Sequence, residues 1–103
     1  MSLTISRQDT DQSTRIVVCG EVDVSNADAL RDALDEALAA PKAELTVDLS
    51  ETSYIDSTGI GVLVGAAHRA EGLETSFGVE SPQRNVARVL NLLGVGDKLG
   101  LRP

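Results

Sequence analysis

Asp56-Ser57-Thr58-Gly59 sets an acid, two hydroxyls and a glycine between an apolar run (Leu45, Val47, Leu49) and a helical apolar pattern that opens at Ile60. Three chemistries use such residues. A nucleophilic serine needs a base within hydrogen-bond reach, about 3 Å. The only histidine, His68, lies eleven positions further along the same helical pattern, a rise of about 16 Å. A Ser57–His68 pair within one chain is therefore excluded, and His68 reads as a solvated helix-surface residue. A phosphate-cradling loop needs Gly-Lys-Ser/Thr, and no lysine lies between Lys42 and Lys98, which leaves nucleotide binding by this chain with little support. The carboxylates Asp48, Glu51 and Asp56 show no metal-ligand spacing and read as a solvated rim, so neither a metal nor a cofactor is expected. The third chemistry is acceptance of a phosphoryl group by Ser57 or Thr58. A helix N-terminus tolerates an added anion because its free amides and dipole favour negative charge. Phosphorylation there adds about −1.5 to −2 charges without unfolding the domain, which suits a switch that alters binding and leaves the fold intact.

Capping alone accounts for the acid and the hydroxyls, since Asp, Ser and Thr are preferred N-cap residues. It does not account for Gly59, Gly61 and Gly65 within or beside one helix, where each interior glycine costs roughly 1 kcal/mol relative to alanine. Positions 61 and 65 are one turn apart. With the adjoining Val62 and Ala66 they are expected to form a small, nearly flat stripe turned away from the core, open to close approach by another protein.

The elements that must position this stretch follow from periodicity. Leu3 and Ile5 alternate with polar residues as in a strand, Asp9 to Ser13 form a polar turn, and Thr14 to Val22 predict a second strand with Ile16, Val18 and Val22 in one phase. Ser25 or Asn26 can cap a helix with Ala27, Leu30, Ala33, Leu34, Ala37 and Leu38 on one face, stopped by Pro41. A strand over 45–49 precedes the DSTG stretch. The helix after it is expected to bury Ile60, Leu63, Val64, Ala67 and Ala70, with Gly72 just past its end. Thr75 to Val79 predict a strand. Ser81-Pro82 is expected to open a helix with Val86, Val89, Leu90 and Leu93 inward, ended by Gly94 and Gly96. Lys98 to Leu101 could add a last short strand. Strands alternating with helices imply crossover connections and a largely parallel sheet. The fold class is thus α/β, a four- or five-stranded mixed sheet with helices packed on it.

At 103 residues the chain is long enough for one hydrophobic core, expected to form one domain over 1–103. With no Trp, one Phe and one Tyr, that core must be built from Leu, Val, Ile and Ala. A formal charge of −7 argues against nucleic acid or an anionic membrane as partner, because both need clustered Lys and Arg. Cys19 is the only cysteine, so no internal disulfide can form, and its place in Ile16-Val17-Val18-Cys19 predicts a small buried side chain. No apolar stretch reaches the roughly 18 residues that cross a bilayer and no signal peptide opens the chain, so a cytoplasmic location is expected.

Three segments together, Gly20-Glu21-Val22-Asp23, Asp48-Leu49-Ser50 and Tyr54-Ile55-Asp56-Ser57-Thr58-Gly59-Ile60-Gly61-Val62-Leu63, resemble the anti-sigma factor antagonists, bacterial members of the STAS domain family. The similarity runs over nearly the whole chain, and the order of elements matches a STAS-like fold. The resemblance implies a protein-binding regulator and not an enzyme. Its partner would be an ATP-bound anti-sigma factor serine kinase, which the unmodified antagonist binds so that a sigma factor is released. The kinase would phosphorylate the antagonist, which then lets go, and a phosphatase would reset it. By motif the phosphoacceptor maps onto Ser57. Asp56 and Thr58 would shape its surroundings and Asp23 matches the acidic residue beside the site. Gly59, Gly61, Val62 and Gly65 would complete the docking face. The family pattern usually includes a further C-terminal helix. STAS domains also serve as non-catalytic subunits of larger assemblies, stressosomes or lipid-transport complexes, which is the alternative role.

Overall fold

Buried and half-buried positions alternate along the second strand: Thr14, Ile16, Val18 and Val22 point to the core while Arg15, Val17 and Cys19 point away. That alternation sets the face of the sheet on which everything else packs. The structure, a computed structural model, describes residues 2–103. Strand β1 (Leu3–Asp9) and β2 (Ser13–Val22) form the expected hairpin, antiparallel from Leu3 opposite Gly20 to Asp9 opposite Thr14. Helix α1 (Ala27–Ala39) returns the chain to β3 (Glu44–Ile55), parallel to β2. Helix α2 (Ser57–Gly72) returns it to β4 (Ser76–Glu80), parallel to β3, and α3 (Arg84–Leu92) follows. The sheet order is β1-β2-β3-β4. Gly20 is required where it stands: its φ is +115°, and a Cβ there would lie 2.2 Å from the Ser2 carbonyl oxygen.

Helices α1 and α2 pack side by side, and Leu30, Leu34, Leu38, Ile60, Leu63 and Ala66 join Ile16, Val18, Val47 and Leu49 in one apolar cluster. The other face of the sheet carries charge. Arg15 Nη2 sits 2.8 Å from both Asp48 Oδ2 and Glu80 Oε1, and Arg102 Nη2 sits 3.2 Å from Glu80 Oε2, an ionic line across three strands to the C-terminal residues.

Several expectations shift. Strand β3 runs on to Ile55 instead of stopping at Leu49, because its pairing with β2 continues to Val22 opposite Ile55, with irregularities at Val17/Cys19 and Gly20/Glu21. The polar run is tolerated there: the Thr52 hydroxyl donates to Val18 O at 2.8 Å. Beyond Asp48, β4 no longer pairs, and side chains at and next to the start of α3 take over. Gln83 Nε2 donates to Ser50 O (3.1 Å) and Asn85 Nδ2 to Ser53 O (2.9 Å).

Helix α3 starts later than Ser81-Pro82 suggests. Ser81 has φ +56°, incompatible with an N-cap, and Gln83 holds that position. Val89 (38% exposed) and Leu93 (56%, the C-cap beyond the last helical residue) lie outward, and Val86 and Leu90 pack against the core with Leu99. No strand forms over 98–101; those residues make turns, and Arg102 alone bridges to Glu80. Gly72 is the last residue of α2, which Leu73 caps. Cys19 is half-buried on the charged face, where its thiol donates to Glu51 Oε2 at 3.2 Å, and this hydrogen bond to a carboxylate pushes the thiol pKa up.

At the hairpin end, Asp9 accepts from Arg7 Nε (2.8 Å), Lys42 Nζ (2.9 Å) and the Thr14 hydroxyl (2.9 Å). The hydrogen bond from Arg7, then those from Lys42 and Thr14, hold its carboxyl well below the ordinary value of 3.8. A depressed carboxylate stabilises the fold above its unfolded pKa and loses that contribution as pH falls through the folded one. Urea unfolding of wild type and Asp9→Asn should therefore differ at neutral pH, with the gap closing only in the range below 3.8. A gap independent of pH would contradict the ionic origin.

Candidate functional site

Ile55 is the last residue of β3 and Ser57 the first of α2, so Asp56 alone makes the strand-to-helix junction. Its backbone is extended (φ −95°, ψ −178°), the conformation an N-cap needs. Asp56 N donates to Val22 O (3.1 Å), which ties the junction to the end of β2. Oδ1 accepts from Gly59 N and Oδ2 from Val24 N, both at 3.0 Å. One carboxylate thus joins the first turn of α2 to the turn after β2.

That turn is held by its own side chains. Asn26 is the N-cap of α1 as expected, yet its side chain does not cap. It folds back instead, Oδ1 accepting from Asp23 N and Nδ2 donating to Glu21 O, both at 2.9 Å. The Asp23 carboxylate accepts from the Ser25 hydroxyl and, at 2.9 Å, from Ser25 N. Those bonds, the hydroxyl's first, draw the Asp23 carboxyl below the usual aspartate range.

Ser57 is exposed and Thr58 half-buried, and among the described residues neither hydroxyl takes part in a hydrogen bond that would occupy it. His68 is exposed further along α2, as expected of a residue with no part in the Ser57 site. Gly61 is exposed with open space where a Cβ would be, and Gly65 would place one 3.6 Å from Arg69 Nη1, an ordinary contact.

The expected docking face narrows. Val62 (6% exposed) and Ala66 (0%) turn into the core, because α2 is covered by α1 as well as by the sheet and so buries a wider arc than one apolar stripe. Gly59 is buried too. Its place is dictated by packing: a Cβ would lie 2.7 Å from both Ile55 Cγ1 and Val22 Cγ1. The outward row is Ser57, Gly61 and Gly65, with Asp56, Thr58 and Asp23 beside it. Two apolar residues that the periodicity did not single out flank this region, Val24 (76% exposed) and Tyr54 (48%). Val24 had a signal, an apolar residue between Asp23 and the polar pair Ser25-Asn26.

Among the described residues no helix is long and apolar enough to cross a membrane, and no group of His, Cys, Asp and Glu is placed to hold a metal ion. Residues 5–103 match the family described as "Mlab, STAS domain". The chain belongs to the STAS domain family, and within it to the anti-sigma factor antagonists. It is 30% identical over 97 residues to the anti-sigma-B factor antagonist of Bacillus subtilis, covering 94% of this chain and 88% of that one. It is 28% identical over 94 residues to the anti-sigma-F factor antagonist RsfB of Mycobacterium tuberculosis, covering 91% and 76%. The crystal structure of an anti-sigma factor antagonist from Mycobacterium paratuberculosis superposes with a TM-score of 0.90 at 30% identity, covering 99% of this chain and 86% of that one.

The two glycines of the first turns should respond oppositely to alanine. Gly61→Ala meets nothing within 4 Å and should gain up to about 1 kcal/mol from helix propensity. Gly59→Ala must push Ile55 and Val22 aside and should lose about 1–3 kcal/mol to overpacking. Urea denaturation of the two variants checks this, and equal shifts would contradict the placement of Gly59 in the core.

Proposed function

We propose that this protein is a partner-switching regulator whose state is set by phosphorylation of Ser57. In the unmodified form it docks on an ATP-bound anti-sigma factor serine kinase and so frees a sigma factor. Transfer of phosphate to Ser57 releases it, and a phosphatase restores the serine. The docking face is the first three turns of α2 (Ser57, Thr58, Gly61, Gly65) with Asp56 and Asp23. The protein acts in the cytoplasm, as a ligand of the kinase and not as an enzyme.

One observation carries the reading. Ser57 is exposed in the first turn of α2, His68 lies too far along the helix to activate its hydroxyl, and each oxygen of the neighbouring Asp56 carboxylate accepts a backbone N–H. Such a hydroxyl can receive a phosphoryl group from an external enzyme without the fold having to rearrange. Membership of a family whose relatives carry the name anti-sigma factor antagonist supports the same reading.

Energetics decide how a charge at Ser57 would act. An unpaired anion buried against a partner costs several kcal/mol, and about 3 kcal/mol weakens binding more than a hundredfold. The helix dipole offsets only ~0.3–1 kcal/mol, and does so in the unbound protein as well. Repulsion wins.

Calorimetry against candidate anti-sigma factor kinases with bound nucleotide tests the switch. Ser57→Ala should bind as wild type does and, because Asp56 and not Ser57 caps the helix, should stay within about 0.5 kcal/mol of wild-type stability. Ser57→Asp should lose much of the affinity, less than true phosphorylation because it carries less charge. Equal affinities for all three would sink partner switching and favour a constitutive subunit of a larger assembly.

A further inference from the structure

Helix α3 exposes apolar surface and positive charge together. Val86 and Leu90 pack into the core, and the opposite side carries Arg84, Arg88 and Leu92, each four residues from the next. That spacing sets them in one ridge, about 6 Å of rise per step. Leu92 is 76% exposed, and Val89 and Leu93 flank it. The charges are unfavourably placed for the helix itself. Arg84 is its first residue, where the dipole disfavours a cation, and Arg88 repels Arg84 across one turn. Nor do carboxylates compensate. Seven ion pairs serve six of the nine Lys and Arg side chains, and among the described residues the three left over are Arg84, Arg88 and Lys98, although the chain holds 16 acids.

The complement to this ridge lies on the same chain. On α1, Leu30, Leu34, Ala37 and Leu38 face the core, and Asp28, Asp32 and Glu36 form the opposite ridge with the same four-residue spacing. Asp28 pairs with Arg31, whereas among the described residues Asp32 and Glu36 hold no cation. Beside the ridge, Ala29 is exposed and Ala33 half-buried, so an approaching helix meets little side-chain bulk. An antiparallel helix with the spacing of α3 sets Arg88 against Asp32 and Arg84 against Glu36, and lays Leu92 over Ala29. We propose that α3 of one copy docks on α1 of a second copy of this chain, the arginine ridge on the acidic ridge and the exposed leucine over the alanines. This contact uses neither Ser57 nor the glycines of α2, so it stands apart from the phosphorylation reading.

Sedimentation velocity between about 10 µM and 1 mM, the range of a small and weak interface, tests the pairing. Wild type should associate as concentration rises and lose most of that association in about 1 M NaCl, because exposed charges are screened. Leu92→Ser should weaken it about tenfold. Arg84→Glu/Arg88→Glu and Asp32→Arg/Glu36→Arg change only exposed side chains, should stay folded by circular dichroism, and should each be monomeric alone. An equimolar mixture of the two double variants restores opposite charge between α1 and α3 and should associate again, although both variants remain net negative. Monomer at every concentration in wild type, or no recovery in the mixture, would overturn the inference. So would association retained by Asp32→Arg/Glu36→Arg, which would place another surface against α3.

Discussion

A helix that starts directly after a parallel strand leaves its first N–H groups without partners, and whatever satisfies them decides where the helix points. Here the Asp56 carboxylate does this, accepting Gly59 N with one oxygen and Val24 N with the other. The rest of the site depends on that pair of bonds. They place Ser57 in the first turn with its hydroxyl outward, and they hold the turn after β2 beside it. The strand end is secured independently, by Asp56 N on Val22 O and by Ile55 and Val22 closing over Gly59, where a side chain would not fit.

The glycines of α2 separate into two physical roles. Gly59 is small because the core presses on it, whereas Gly61 is small although nothing in the fold requires it. Only the second kind costs helix stability without a structural return, and only that kind faces outward in line with Ser57. In the proposed reading, a partner's backbone would come close at Gly61, next to the Ser57 hydroxyl, and a phosphate there would govern the affinity.

Legibility in the sequence followed the strength of the local physics. The hairpin, α1 and the order of elements could be read from periodicity, because alternation in β2 and the Leu30-Leu34-Leu38 spacing record one buried face each. Alternation also placed Cys19 on the outer face, a point that the apolar run around it obscured. The extension of β3 was hidden, because Ser50 to Ser53 are polar and pair only through contacts with β2 and side chains at the start of α3. The start of α3 was misplaced for a backbone reason, the positive φ of Ser81, which a Ser-Pro pair does not announce. The placement of Asp56 at the helix start and of Ser57 and Gly61 on the exposed side of α2 could be read directly. The inward turn of Val62 could not, since α2 lies against both α1 and the sheet, and the Asp56–Val24 bond joins residues 32 apart in sequence.

Charge is distributed in keeping with this account. The outer sheet face neutralises itself through Arg15, Asp48, Glu80 and Arg102, leaving the first turn of α2 without a charged residue of its own. A phosphate at Ser57 would add its charge to the carboxylates of Asp56 and Asp23 on that surface, which is why the position of the phosphate is the central claim. Incubating the protein with an anti-sigma factor kinase and ATP, then mapping the modified peptide by mass spectrometry, tests it most directly. The account predicts phosphate on Ser57 alone; phosphate mainly on Thr58 or on another residue would contradict it.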